Sequence, residues 1–128
     1  MNMRAMILAA PLLLAFGPLL ADDVSAAENP VTRCGWVQNP TPGNWWLTDA
    51  EGDWILATQG SDNGAEGMDL IGDISAHDYV MSNGNYGYAC GCMKVIANRD
   101  TMQVERVLSF RQLPLSKCDR DPNLPKQE

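Results

Sequence analysis

The chain has 128 residues and a formal net charge of −7, from 9 Lys and Arg against 16 Asp and Glu, with a single histidine and 4 cysteines. That length holds one small domain with a modest core. The acidic balance repels phosphate backbones, which argues against nucleic acid as a partner, and no basic cluster follows the first residues to hold an anionic lipid surface.

Residues 1–27 have the layout of a secretory signal peptide. Arg4 is followed by an apolar run from Ala5 to Leu20, broken by Pro11, Gly17 and Pro18, and then by the small residues Ser25-Ala26-Ala27. The run is short for a membrane span and carries helix breakers, so no stable membrane insertion is expected once it is cleaved. Val31-Thr32-Arg33 before Cys34 does not fit a lipid-modified cysteine. A periplasmic or secreted domain is therefore expected over 28–128.

Within that domain, Cys34 to Val37 reads as a short N-terminal edge strand, followed by the turn-rich Asn39-Pro40-Thr41-Pro42-Gly43-Asn44. Trp45 to Thr48 and Trp54 to Thr58 read as a hairpin joined through Asp49-Ala50-Glu51-Gly52-Asp53. Gln59 to Asn85 is rich in Gly, Asp, Asn and Ser and thin in apolar residues. It reads as a long irregular loop with a helical turn near Ser75 to Val80, capped by Ser75 with Asp78 three positions on. A loop of that length in a compact domain is usually functional or mobile.

A second hairpin follows: Tyr86 to Ala97 out, Asn98-Arg99-Asp100 turning, Thr101 to Leu113 back. Met102, Val104, Arg106, Leu108 and Phe110 share one face of the return strand and are mostly apolar. Gln103, Glu105, Val107, Ser109 and Arg111 share the other and are mostly polar, so the first face is expected to be buried. Pro114 stops the strand, Cys118 fastens the end, and 120–128 reads as a loose tail. The fold class is mainly β: a small antiparallel sheet of two hairpins plus a short N-terminal strand, with a long loop and two disulfides.

Export places Cys34, Cys90, Cys92 and Cys118 where disulfides persist. On a strand, Cys90 and Cys92 point to the same side with Cβ atoms roughly 6–7 Å apart, at a rise of about 3.3 Å per residue. A disulfide needs about 3.8 Å, so each must reach a distant partner. Cys34–Cys90 with Cys92–Cys118 and Cys34–Cys92 with Cys90–Cys118 both satisfy this; the second is preferred. The Cys-x-x-Cys spacing of zinc or thioredoxin-like sites is absent. No metal and no cofactor is expected.

Candidate binding residues are aromatic: Trp45, Trp46, Trp54, Tyr86 and Tyr88, which could form a platform for a sugar ring or a partner's apolar side chain, or could simply fill the core. Trp45 and Trp46 face opposite sides of their strand, so one is expected to stay partly exposed. Tyr86 and Tyr88 line up with Cys90 and Cys92 in one stripe if the strand is regular. Asp62, Asn63, Glu66, Asp69 and Asp73 could gather around calcium, but lack the alternating acidic pattern of an EF-hand loop. His77 adjoins Asp78, with no nucleophile motif around Ser75, Ser82 or Ser109. No catalytic residue is assigned.

Arg33-Cys34-Gly35-Trp36, Asn39-Pro40-Thr41-Pro42, Asn44-Trp45-Trp46-Leu47-Thr48-Asp49, Asn83-Gly84, Tyr86-Gly87-Tyr88, Cys90-Gly91-Cys92 and Leu113-Pro114-Leu115 with Cys118 occur in that order. This set resembles a small exported bacterial family catalogued as domain of unknown function 4087, with Gly91 where alanine is more usual. The resemblance implies an exported domain with four matched cysteines and implies no activity. The function expected is a non-enzymatic binding or inhibitory module whose acidic surface suits a basic envelope protein. An envelope carbohydrate-binding domain and a small hydrolase using His77 are the alternatives.

Overall fold

A computed structural model describes residues 10–15, 17–18 and 29–128; most of the expected signal peptide, with its cleavage positions, lies outside the described residues. Six strands follow in chain order: β1 (Val31–Thr41), β2 (Asn44–Asp49), β3 (Gly52–Ala57), β4 (Val80–Asn83), β5 (Tyr86–Asn98) and β6 (Gln103–Leu113). Two single 3₁₀ turns, Met68–Leu70 and Ile74–Ala76, lie between β3 and β4, and a short helix, α1 (Leu115–Asp119), follows β6.

The sheet order is β1-β2-β3-β6-β5-β4, and β1 also pairs with β5. The strands β1, β2, β3, β6 and β5 therefore close into a ring. The closing contact, between β3 and β6, is parallel and holds a single register pair, Ile55 with Gln103. Beyond it the chain fills the gap with its own backbone. Ala65 N–H donates to the Leu56 carbonyl, Glu66 N–H to the Glu105 carbonyl, and Val107 N–H to the Glu66 carbonyl. The expected small antiparallel sheet is thus corrected to a larger, mixed one.

The largest difference lies in β1. Expected as a four-residue edge strand, it runs for 11 residues with partners on both sides, β2 and β5. Pro40 does not end it, because it lies beyond the last pair with β5 and inside the register shift against β2, where no ladder bond needs its missing N–H; Pro42 follows the strand. The following turn is tied by the Asn39 amide, which donates to the carbonyls of Thr41 and Asn44. Gly35 lets β1 and β2 approach this closely: a Cβ there would lie 2.0 Å from the Thr48 carbonyl oxygen.

The inside of the ring is the main core. Val37, Leu47, Trp54, Leu56, Ala89, Met93, Val95, Ala97, Val104 and Val107 fill it, and Ala65, Ile71 and Ile74 from the β3–β4 connection cap one end. Alternation on β5 is regular, with Ala89, Met93, Val95 and Ala97 inward and Tyr88, Lys94 and Ile96 less buried. Alternation on β6 is not. Register shifts opposite Lys94/Val95 and Ile96/Ala97 insert extra residues, as β-bulges do. The buried positions become Val104 and Val107, and Leu108, expected inside, is 37 % exposed.

The connection over 58–79 is more ordered than the expected loop. Its second 3₁₀ turn is capped by Asp73, whose carboxylate accepts from the Ser75 amide, rather than by Ser75. Gln112 anchors the same stretch by donating to the carbonyls of Ile74 and Asp78.

A second apolar cluster lies outside the ring. Trp36, Cys90, Cys118 and Leu124 are buried together, with Tyr88, Leu113 and Leu115 against them. The segment from α1 to Pro125 is a strap over the outer surface of β1 and β5. Trp36 donates its indole N–H to the Pro125 carbonyl at 2.9 Å. The tail expected to be loose from residue 120 is therefore packed as far as Pro125. Disulfides join Cys34 to Cys92 and Cys90 to Cys118. The first links directly opposed residues of β1 and β5, with Cα atoms 4.0 Å apart. The second fastens the strap.

Candidate functional site

The ring's outer surface over β5, β1, β2 and β3 carries two neighbouring rows of side chains. In the first, register pairs run from Cys90 to Trp36, Thr48 and Asp53. In the second they run from Tyr88 to Gln38, Trp46 and Ile55. The strap covers the inner part of the first row, leaving Trp36 only 1 % exposed. It does not bury the second. Tyr88, Gln38 and Trp46 are half-buried, and Ile55 is 36 % exposed.

Strands about 4.8 Å apart place Tyr88 and Ile55 roughly 14 Å from each other across the sheet. The result is an apolar row with an amide at its second position. Its geometry is held from beneath and beside. Tyr88 meets Trp36 edge to face, with ring centroids 5.3 Å apart. The Gln38 amide donates to the Thr48 hydroxyl at 3.0 Å, and that hydroxyl donates to the Asp53 carboxylate at 2.6 Å. Such a chain fixes the Gln38 rotamer, so the row is preorganised.

Of the five aromatic candidates, Trp46 and Tyr88 come together in this row. Tyr86 is half-buried two residues from Tyr88 along the same strand. Trp45 leans against the inner core, and a register shift separates it from Trp46. Trp54 is removed from the set. It is fully buried inside the ring, donates its indole N–H to Asp49 at 3.0 Å, and carries the Arg33 guanidinium 3.6 Å from its ring centroid. Gln38 and Ile55, neither of them among the aromatic candidates, complete the row. Ile55 carries a signal in its place between Trp54 and Leu56, two inward residues; Gln38 carries none, since it lies in the part of β1 beyond Val37.

Two acidic residues of the connection, Glu66 and Asp73, have separate partners. Glu66 accepts from Arg106, whose Nε lies at 3.0 Å. Asp73 accepts from the Ser75 hydroxyl at 2.6 Å and from its amide at 3.0 Å. Those two bonds, the hydroxyl first, hold the Asp73 carboxyl below its ordinary pKa. Burial pushes the neighbouring Tyr79 phenol upward. Among the described residues no three His, Cys, Asp or Glu gather as a metal-ligand group.

His77 lines a cavity of about 400 Å³ with Asp78, Gln112, Leu113 and Pro114. Among the described residues no hydrogen bond joins it to a serine or a carboxylate. The Ser75 hydroxyl is engaged by Asp73, and the Asp78 carboxylate accepts from the Leu115 amide at 2.8 Å. His77 shares a second cavity with Asp73, whose carboxylate is engaged by Ser75.

Among the described residues no helix is long and apolar enough to cross a membrane. A family model described as protein of unknown function (DUF4087) matches residues 28–125. No curated protein and no solved structure matches the chain.

Proposed function

The chain belongs to the DUF4087 family, and from that premise we propose that it is an exported, non-enzymatic binding module that holds an envelope glycan on the row Tyr88-Gln38-Trp46-Ile55. The observation that carries this reading is the row itself: four side chains in register across four strands, left open beside a row whose Cys90–Trp36 end the chain covers with its own strap. Aromatic faces take the C–H faces of sugar rings, and the Gln38 amide supplies a hydrogen-bonding group among them. The acidic overall charge speaks against a polyanionic ligand there.

Connectivity supports the same surface. The order β1-β2-β3-β6-β5, returning to β1 with β3 and β6 parallel, corresponds to an OB-fold. That fold is a five-stranded, partly open barrel whose strand 2–3 face binds oligonucleotides and oligosaccharides. Fold alone does not assign a ligand, so the weight stays on the residues. Export rests on the layout of residues 1–27 and on two disulfides, which persist in oxidising compartments. The test is a fluorescence titration with peptidoglycan fragments and other envelope glycans. Emission should change on addition and stay constant in Trp46→Ala; emission unchanged for every glycan would refute the reading.

A second reading has its own observation. Residues 58–80 carry Asp62, Glu66, Asp69, Asp73 and Asp78 with no lysine or arginine, which favours a basic envelope protein such as a cell-wall hydrolase or toxin. The domain would then inhibit such a hydrolase at low salt and lose the effect in Asp69→Asn/Asp73→Asn. A hydrolase rate indifferent to added domain at low salt removes this reading.

A further inference from the structure

We propose that the end of the barrel beside Asn29 and Arg99 is a carboxylate-binding pocket, in which Arg33 and Arg99 hold the carboxylate of a short aliphatic acid. This site is separate from the outer row and does not depend on the glycan reading. A cavity of about 320 Å³ lies there, lined by Asn29, Val31, Arg33, Ala97 and Arg99. Arg33 is an inward residue of β1 and only 7 % exposed.

Its guanidinium is fixed on three sides. It lies over the Trp54 ring at 3.6 Å, and its Nη1 donates to Asp49 at 2.9 Å and to Glu51 at 3.2 Å. Asp49 is itself saturated, since its other oxygen accepts from the Trp54 indole and the Glu51 amide. The Arg33 Nε is buried with no hydrogen-bond partner among the described residues. A buried donor left unpaired is costly, and one on a charged group more so. The side chain that carries this orphan donor lines the cavity.

The second arginine comes from the β5–β6 turn. Arg99 is exposed and shares Glu51 with Arg33, at 3.1 Å. Two guanidinium groups and two carboxylates, Asp49 and Glu51, thus balance at the site. The site's own charges cancel while the chain as a whole is acidic, so a singly charged carboxylate is repelled less than a phosphate dianion. The planar fork of arginine matches a carboxylate. Val31 and Ala97 offer apolar wall to an alkyl chain. Glu51 sits on the β2–β3 turn, half-exposed, so it can swing away and yield both arginines to an incoming carboxylate.

The experiment uses protein purified from cells expressing the full chain, with butyrate and inorganic phosphate as probes. NMR follows the Arg33 Nε–H and the Trp54 indole N–H. Butyrate should shift both and bind more tightly than phosphate. Arg99→Gln should weaken butyrate about tenfold, the scale of one charged hydrogen bond. Glu51→Gln should tighten it by removing the internal competitor. Both substitutions are at exposed side chains, so the fold is retained; Arg33 is left intact because breaking its buried pair is itself destabilising. The proposal is overturned if neither probe moves these signals in wild type or in Glu51→Gln, which would mean that water satisfies the Nε. Butyrate affinity unaltered by Arg99→Gln, or tighter binding of phosphate, would overturn it equally.

Discussion

Trp36 and Trp46 stand on adjacent strands, on the same outer surface, in neighbouring rows, and the chain treats them oppositely. Trp36 is sealed under the strap, with its indole bonded to Pro125 and a disulfide pinning the strap nearby. Trp46 stays half-open beside Gln38 and Ile55. A small domain has too little interior for four tryptophans; Trp54 occupies the ring's inside, and the chain has built a second, external core for one more. Where it has supplied its own cover, the tryptophan stabilises. Where it has not, the tryptophan is available for a ligand.

Substitutions separate these roles. Trp36→Ala should lower unfolding free energy by about 3–5 kcal/mol, the usual cost of emptying a buried aromatic site. Denaturant titration measures this, and a cost as small as that of Trp46→Ala would erase the distinction. Removing the strap's anchor with Cys90→Ala/Cys118→Ala should cost about 2–4 kcal/mol. It should also red-shift tryptophan emission as Trp36 becomes wet; stability falling without the shift would mean that the strap stays down unaided. Trp46→Ala, at a half-open site, should cost clearly less than Trp36→Ala while abolishing the glycan response.

The smallest expected effect is electrostatic and lies in the connection. Ser75→Ala removes the hydroxyl that most lowers the Asp73 pKa, so the carboxyl should titrate at higher pH, nearer its ordinary value. The sign follows from linkage. A depressed folded-state pKa gives stability above the unfolded pKa, lost as pH falls through the folded one. The variant should therefore lose part of that acid-side dependence, read by carboxyl NMR. An unmoved Asp73 titration would show that the amide alone sets it.

Much of this architecture could be read from residue order. The second hairpin was legible because Tyr86 to Ala97 is long, alternating and bounded by turn residues. The placement of Cys90 and Cys92 on one side followed from strand period alone. Ring closure was not legible, since it depends on β1 pairing with two strands far apart in sequence, and Pro40 and Pro42 disguised that strand's length. The bulges in β6 were equally hidden: each adds a residue without any marker, so Val107 turned inward and Leu108 outward. For the site, strand neighbours could show that Trp45 and Trp46 part company. Only register could show that Trp46 meets Gln38 and Ile55, or that Trp54 belongs to the interior with Arg33 and Asp49.

An amide and indole NMR map of the domain, titrated with a soluble peptidoglycan oligosaccharide, decides whether the open row takes the glycan. Shifts should concentrate on the Trp46 indole, the Gln38 side-chain amide, Tyr88 and Ile55, leaving the Trp36 indole still. Shifts clustered over 58–80 instead, or a Trp36 response equal to that of Trp46, would contradict it.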